Sequence, residues 1–328
     1  MQLNPVLARS GDQTLSVVGR IVENVEKVIV GKREAVEKAV AALLAGGHIL
    51  LEDVPGTGKT MLVRALARSI DCEFKRIQLT PDLLPSDITG VSVYHSRLQV
   101  FEFREGPVFA NVVLADELNR TTPKTQAALL EAMEEKSVTA DGMTRLLPQP
   151  FLLMATQNPA DCQGTYGIPE AQLDRFLLRI RLGYPGLREE AEMLERIHEH
   201  HPIGKLKSVI LKEELLDMQR MVRGVHVDER LTDYIVRISA ATRQRGDVQL
   251  GASPRASAAL MRASQAQAFM SGRSYCVPDD VKSMAAPVLA HRLQLSLEGR
   301  MAGATTEGII ADVLERTPVP GMSRSPRV

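Results

Sequence analysis

The stretch from Pro55 to Thr60 combines glycine, lysine and threonine at a spacing that can bind a phosphate group. Gly56 and Gly58 can adopt backbone conformations that a side chain would block, so several backbone N–H groups can face one anion. Lys59 adds a positive charge for the outer phosphates of a nucleoside triphosphate, and the Thr60 hydroxyl can bind Mg²⁺. These residue types predict a phosphate-binding loop.

The loop lies where its chemistry requires, between a predicted strand and a predicted helix. Residues 49–51 form an apolar run typical of a short buried strand. Beyond the loop, Leu62, Leu66 and Ile70 recur at the spacing of one helix face. The N-terminus of that helix would add free N–H groups and the positive end of a dipole. A glycine-rich turn without a ligand is the alternative, and the flanking elements weigh against it.

Asp53 is a departure from the usual loop, because it replaces the first glycine of the eight-residue signature. Asp tolerates unusual backbone angles better than most residues. The core of the motif from Pro55 to Thr60 is intact. We therefore expect the loop to bind phosphate despite this replacement.

Two adjacent carboxylates, Asp116 and Glu117, follow a second apolar run at residues 112–115. Such a run predicts a strand buried on both faces, as in a parallel sheet. Its carboxyl end is the edge at which open α/β sheets bind ligands. Beside a phosphate loop, Asp116 would hold the Mg²⁺ shell and Glu117 would orient or deprotonate the attacking water. A pair of helix-capping residues is the structural alternative.

Asn158 and Arg175 are candidates for contacts with the γ-phosphate. Asn158 follows a third apolar run and could position the water, or it could form a turn into Pro159. Arg175 could be an arginine finger that reaches a neighbouring subunit's nucleotide. The equally open alternative for Arg175 is a salt bridge within its own chain, for instance with Asp174 or Glu170.

Two other features could face the same ligand. Arg255 falls in the first turn of a predicted helix, where the helix dipole disfavours a cation, and this placement indicates an anion nearby. A solvated arginine is the alternative. The apolar patch from Val28 to Val30, followed by Gly31, could pack against an adenine ring, and plain core packing would use the same side chains.

The composition bounds the class of protein. A chain of 328 residues suits two domains, and its formal net charge of zero argues against a general polyanion binder. Cys72, Cys162 and Cys276 are widely spaced, which predicts small buried apolar residues in a reducing compartment. We see no run that could span a bilayer and no apolar core of signal-peptide length, so we expect a cytoplasmic protein.

The remaining pattern predicts two hairpins and a helical second half. Alternation around residues 91–103 and the Asp141-Gly142 turn predict hairpins. After a hinge at residues 184–186, helices are predicted over 187–201, 212–223, 228–244, 254–270 and 278–293. The tail from Pro318 is rich in proline, serine and arginine, and we expect it to be disordered.

The order of these elements resembles the AAA+ ATPases, and within them the MoxR family. The resemblance extends from about Val30 over nearly the whole chain. The matching stretches are Leu-Glu-Asp-Val-Pro-Gly-Thr-Gly-Lys-Thr at 51–60, Gly-Pro-Val-Phe-Ala-Asn at 106–111, Leu-Ala-Asp-Glu-Leu-Asn-Arg at 114–120, Leu-Leu-Glu-Ala-Met-Glu-Glu at 129–135, Ala-Thr-Gln-Asn-Pro at 155–159, Leu-Asp-Arg-Phe at 173–176 and Gly-Ala-Ser-Pro-Arg-Ala at 251–256. The loop and the acidic strand alone are typical of any P-loop ATPase, and their combination with the other stretches is more specific.

The resemblance implies an α/β fold with an αβα core, a five-stranded parallel sheet and a helical lid. We place the core at residues 1–185 and the lid, with its disordered tail, at 186–328. The hairpins would be the helix-2 insert and the pre-sensor-1 hairpin. The implied catalytic residues are Glu117, Asn158 (sensor 1) and Arg175 (arginine finger), and the implied Mg²⁺ ligands are Thr60 and Asp116. The residues predicted to bind ATP are Val30, Gly31, Pro55, Gly56, Thr57, Gly58, Lys59, Thr60, Met61 and Arg255 (sensor 2).

The resemblance also implies a hexameric ring that acts as a chaperone on a partner complex. Partners in the family often contain a von Willebrand factor A domain, and the work often serves metal cofactor insertion. One alternative is a nucleic-acid motor or loader, but each predicted hairpin mixes basic with acidic residues, so no nucleic acid is expected. The other alternative is a nucleotide-gated scaffold with little turnover, against which the complete hydrolytic set argues.

Overall fold

The computed structural model describes residues 11–158, 166–199 and 202–321, and these form two compact units. The first, here the core unit, contains residues 17–176 and 180–217. The second, here the helical unit, contains the described residues outside those ranges. Residues 186–217 thus group with the core unit, and the functional boundary proposed after residue 185 stays a prediction. Cys162 and the tail from residue 322 lie outside the described residues.

A five-stranded sheet in the order β2-β5-β8-β1-β9 organises the fold. The pairings of β2 with β5, β5 with β8, and β8 with β1 are parallel. The central strands β5 and β8 are almost completely buried, which explains their near-continuous apolar sequences. The strands in chain order are β1 Ile49–Glu52, β2 Phe74–Gln78, β3 Gly90–His95, β4 Val100–Glu105, β5 Val112–Asp116, β6 Ser137–Ala140, β7 Met143–Leu146, β8 Leu152–Gln157, β9 Leu178–Ile180, β10 Val248–Leu250 and β11 Gln294–Leu295.

The helices begin and end largely where the sequence pattern places them. Thr122 and Ser253 cap the helices that start at Pro123 and Pro254 by accepting backbone N–H groups at 3.5 and 3.1 Å. The helices in chain order are α1 Gly11–Glu26, α2 Arg33–Leu44, α3 Lys59–Ser69, α4 Pro85–Thr89, α5 Pro123–Glu135, α6 Glu170–Leu173, α7 Leu187–Glu199, α8 Lys212–Arg223, α9 Glu229–Arg243, α10 Pro254–Met270, α11 Pro278–Leu289, α12 Leu297–Met301 and α13 Thr306–Arg316. In the described part of the chain, none of these helices has the length and apolar character that a membrane crossing needs.

The helical unit contains elements that the sequence interpretation missed. The predicted helix over 278–293 was too long, because α11 ends at Leu289 and a 3₁₀ turn follows over Ala290–Arg292. Strands β10 and β11 pair antiparallel, and α12 and α13 follow them. Two strands of three and two residues carry too short a pattern for periodicity to find.

Both predicted hairpins are present, and they contact each other. Strand β3 pairs antiparallel with β4, and β6 with β7. Asp141 and Gly142 both have positive φ, at 53° and 74°, as a two-residue hairpin turn of this kind requires. The Ser92 hydroxyl of the first hairpin donates a hydrogen bond to the Asp141 carboxylate of the second. The Arg145 guanidinium also lies 3.7 Å from the ring centre of Phe103, so the hairpins are joined at two points.

The two cysteines that the structure describes fit the prediction of structural residues. Cys276 is buried and Cys72 is partly buried. Burial raises the pKa of each thiol to about 12. Neither is therefore a reactive thiolate near neutral pH.

His48 joins the core sheet to α5 from a buried position. The backbone N–H of Leu153 donates to its Nδ1 at 2.9 Å, and its Nε2 lies 3.0 Å from the carbonyl of Met133. A ring that accepts at Nδ1 and donates at Nε2 is neutral. Burial, the largest effect, lowers the pKa of His48 to about 4.

We expect the free energy of unfolding to fall as the pH is lowered from 6.5 towards 4, because the unfolded state then binds a proton that folded His48 excludes. The loss would amount to roughly 3 kcal/mol. Urea unfolding at a series of pH values measures it. His48→Gln keeps a donor and an acceptor and should lose this part of the pH dependence. An unchanged slope in that variant would contradict the assignment.

Candidate active site

The predicted phosphate loop has two glycines in the left-handed backbone region. Gly56 and Gly58 adopt positive φ values of 87° and 90°, and Gly58 immediately precedes α3. A Cβ atom at either glycine would meet no atom within 4 Å, but the backbone conformation disfavours any other residue. Lys59 Nζ donates to the carbonyls of Asp53 and Val54 at 2.8 and 2.7 Å. Burial lowers the pKa of Lys59, and the charge of Asp53 is the largest opposing effect.

Asp53 fastens the loop to the segment that follows β9. Its Oδ2 accepts the backbone N–H groups of Leu182 and Gly183, both at 2.7 Å. Its Oδ1 accepts the N–H of Val54 at 3.1 Å. Asp53 does not have positive φ, so backbone tolerance is not the reason for an aspartate here. The carboxylate satisfies three N–H groups that a glycine would leave to other partners.

We expect Asp53→Ala to lower the free energy of unfolding by about 1–3 kcal/mol, because it removes the acceptor from partly buried N–H groups. Urea unfolding measures the change. Asp53→Asn keeps one acceptor oxygen and should lose less. Equal stability of the alanine variant and the unmodified protein would show that water replaces the carboxylate without cost.

Asp116 is nearly buried at the carboxyl end of β5 and is held on both oxygens. Arg76 donates twice to Oδ2, from Nε at 3.1 Å and Nη2 at 2.6 Å. The Thr156 hydroxyl donates to Oδ1 at 2.5 Å. The same hydroxyl accepts the backbone N–H of Glu117 at 2.8 Å. Thr156 therefore links the two carboxylate residues, and the sequence interpretation did not single it out. The sequence could have indicated Thr156 only by its position near the end of β8, one residue after Ala155, which pairs in register with Ala115.

Glu117 leaves the strand in a conformation that is unusual for a glutamate. Its φ of 62° and ψ of 54° place it in the left-handed region. Its Oε2 accepts from Gln78 Nε2 at 2.8 Å and lies 3.3 Å from Arg120 Nε. Gln78 ends the neighbouring strand β2 and pairs in register with Asp116. Gln78 and Arg76 are thus further site residues that the sequence interpretation missed, since nothing local marks them.

These residues surround one cavity of about 390 Å³. Its lining includes the loop from Pro55 to Met61, apart from Thr57, together with both carboxylate residues and Asn158. Residues that are far apart in sequence meet there because β1, β5 and β8 are neighbours in the sheet. Pro159, which would complete the alternative turn at Asn158, lies outside the described residues.

The oxygen atoms of the two predicted metal ligands, Thr60 and Asp116, fit Mg²⁺ rather than a softer metal. The Thr60 hydroxyl and the Asp116 carboxylate both line the cavity. Mg²⁺ keeps several waters and is commonly bound by one or two protein oxygens together with substrate phosphates. Within the ranges that the structure describes, no group of three or more histidine, cysteine, aspartate or glutamate residues could form a protein-only metal site.

A second cavity, of about 270 Å³, adjoins the loop and has a mostly apolar wall. Val28, Ile29 and Val30 line it, and Val28 and Ile29 also belong to the buried core, so both readings of this patch are compatible with the structure. Tyr184 and Met193 line it as well, although the sequence interpretation gave Tyr184 only a hinge role. Gly31 has a φ of 70°, and a Cβ there would lie 2.0 Å from the Glu189 side chain.

Two predicted arginines lie outside the first cavity's lining. Arg175 Nε lies 3.1 Å from Glu134 Oε2, so the intrachain ion pair exists, but with a residue of α5 rather than with Asp174 or Glu170. Arg255 is the second residue of α10 in the helical unit. The proposed contact of each with a γ-phosphate stays a prediction.

Comparisons with known proteins agree with this geometry. Residues 48–178 match the ATPase family associated with various cellular activities (AAA), and residues 240–313 match the AAA lid domain. The uncharacterized protein YeaC of Bacillus subtilis is 53% identical over 93% of this chain and 95% of its own length. Chaperone MoxR1 of Mycobacterium tuberculosis is 40% identical over 94% of this chain and 84% of its own. A crystal structure of a protein from Cytophaga hutchinsonii, assigned as an ATPase, matches with a TM-score of 0.88 and 38% identity, covering 94% and 96% of the two chains.

The fold and the site define the class as an AAA+ ATPase, with a parallel five-stranded sheet and a helical C-terminal region. The identity to MoxR1 extends over most of both chains. The chain belongs to the MoxR family of chaperone-like AAA+ ATPases, as the resemblance predicted.

Proposed function

We propose that this chain hydrolyses ATP with Mg²⁺ and uses the energy to remodel a partner protein complex. The observation that carries the proposal is the meeting of the phosphate loop, Asp116, Glu117 and Asn158 around one cavity. These groups supply phosphate binding, a metal ligand, a base and a polar orienting group. The apolar cavity beside the loop would hold the adenine ring.

Each residue has a role that its position supports. Backbone N–H groups of the loop and the Lys59 ammonium would bind the β- and γ-phosphates, and Lys59 would exchange its carbonyl partners for phosphate oxygens. Mg²⁺, held by Thr60 and Asp116, would neutralise charge on the phosphates. Glu117 would accept a proton from the attacking water. Asn158 would hold that water in line with the γ-phosphate.

The site would be completed by a neighbouring copy in a ring, which we take to be a hexamer. Arg175 does not line the cavity of its own chain, and its side chain is 30% exposed, as an arginine that reaches a neighbour requires. We infer that it stabilises charge on the neighbour's γ-phosphate in the transition state. Arg255, in the first turn of α10, would contact the γ-phosphate, as the family resemblance implies.

A protein client fits the exposed surface of the first hairpin better than a nucleic acid does. Large apolar side chains on β3, β4 and their turn are at least half exposed; these are Val91, Tyr94, Leu98, Val100 and Phe101. Polyanion binding would need a basic surface instead. The family resemblance supports three further parts of the proposal. The partner would contain a von Willebrand factor A domain, the work would serve metal cofactor insertion, and the protein would act in the cytoplasm.

Sedimentation velocity with and without ATP, combined with phosphate release, tests the proposal. We expect an ATP-dependent ring and Mg²⁺-dependent turnover, with Glu117→Gln forming the ring but not turning over. Turnover no higher than that of Glu117→Gln would instead indicate a nucleotide-gated scaffold. A monomer under every condition would exclude a nucleotide site that two neighbouring subunits share. Salt-sensitive binding to DNA would favour the nucleic-acid alternative.

A further inference from the structure

The ion pair between Glu134 and Arg175 joins two segments that are distant in sequence. Glu134 lies in the last turn of α5, and Arg175 follows α6. Glu134 Oε2 lies 3.1 Å from Arg175 Nε, and the two side chains are 36% and 30% exposed. Ion pairs this exposed contribute little to stability, about 0–1 kcal/mol. Stability alone is therefore a weak reason for the pair.

The geometry of the pair leaves the end of the arginine suited to bind an anion. Glu134 approaches the guanidinium at Nε as an ion pair without a hydrogen bond, and this nitrogen is shielded from solvent although the side chain as a whole is partly exposed. The exposed part therefore lies elsewhere on the side chain. The two terminal nitrogens of a guanidinium form the fork that binds phosphate oxygens in pairs. The charge of Glu134 beside Nε holds this end of the side chain near α5.

The side chain that is held is long and would otherwise be mobile. A free arginine loses about 2 kcal/mol of rotamer entropy when it is fixed. Holding it before the nucleotide arrives would reduce that loss in the transition state. Helix α5 is a suitable support, because it packs against the core through the buried residues Leu129, Leu130 and Met133.

We propose that Glu134 is a positioning residue that orients Arg175 for the nucleotide site of the neighbouring subunit. This inference rests on the proposed role of Arg175 in trans. Glu134 would act in the subunit that donates the arginine and not in the subunit that holds the nucleotide. That asymmetry separates a positioning role from a structural role, which would be felt in either subunit.

Mixed rings test the asymmetry. Glu117→Gln subunits keep Arg175 but cannot hydrolyse, and Arg175→Ala subunits keep an intact nucleotide site, so a mixture of the two should recover turnover. Adding Glu134→Gln to the Glu117→Gln donor should lower the recovered turnover roughly 10-fold or more, with KM for ATP unchanged. Adding it to the Arg175→Ala subunit should change nothing. Glu135→Gln in the donor is the matched control, since it removes a charge from the next residue of α5.

The outcomes separate the inference from the proposed function. Equal recovery with and without Glu134→Gln in the donor would overturn the positioning role alone. A loss of the same size in either subunit would also overturn it, since it would show a structural effect. The mixture of Glu117→Gln with Arg175→Ala could also form mixed rings by sedimentation and yet recover no turnover. That result would show that Arg175 does not act at the neighbouring subunit's site, and it would overturn this inference as well.

Discussion

Arg175→Ala is expected to lower ATP turnover by about 10³- to 10⁵-fold, which corresponds to about 4–7 kcal/mol of transition-state stabilisation. Nucleotide affinity should change little, because Arg175 does not line the cavity of its own chain. Phosphate release under saturating ATP measures the first quantity, and titration with a fluorescent nucleotide measures the second. The two together distinguish loss of catalysis from loss of binding.

The same substitution has a different outcome if Arg175 only pairs with Glu134. Loss of a partly exposed ion pair would cost about 0–1 kcal/mol of stability, and turnover would stay near normal. Arg175→Lys sharpens the distinction, because lysine keeps the charge but loses the planar fork. Arg237→Ala removes a surface arginine that pairs with Asp233 and serves as a control for the loss of one charge. Near-normal turnover of Arg175→Ala would exclude it as the finger.

Glu117→Gln is expected to bind ATP and hold it, with turnover lowered by about 10²- to 10⁴-fold. Glutamine preserves the size of the side chain and an oxygen that can accept from Gln78, but it cannot take a proton from water. Quenched single-turnover measurements would show ATP that stays intact on the protein. The ring should still assemble, because the substitution leaves the phosphate loop unchanged.

A matched control for this variant is available on α5. Glu131→Gln makes the same change from carboxylate to amide at an exposed position of α5. It should leave turnover unchanged, so that a loss seen only with Glu117→Gln reports the base and not the lost charge. Rapid hydrolysis by Glu117→Gln would reject the assignment and point to another group that activates the water.

The sequence was sufficient for those parts of the site that depend on neighbouring residues. The loop from Pro55 to Thr60 and the pair Asp116 and Glu117 are recognisable because their residue types and spacing are local. The parallel sheet followed from its buried apolar runs, and the Asp141-Gly142 turn from its dipeptide. Each of these is a statement about a few consecutive residues.

The parts that were missed depend on contacts between distant segments. Asp53 accepts N–H groups from Leu182 and Gly183, which no local pattern can show. Thr156 binds both carboxylate residues only because β8 lies beside β5. Arg175 pairs with Glu134 of α5 and not with Asp174 or Glu170, the two acids near it in sequence. The fold, and not the sequence spacing, decides which acidic side chain lies close enough to pair.

The left-handed backbone of Glu117 has a consequence for the evolution of the protein. A residue with a Cβ atom in this region costs about 1–2 kcal/mol, a cost that glycine avoids. Glycine at position 117 would avoid this backbone cost, but it would remove the proposed base and its contacts with Gln78 and Arg120. Laboratory evolution towards thermal tolerance should be screened for turnover at every round, since a variant that relieves the strain at this position would lose the proposed base.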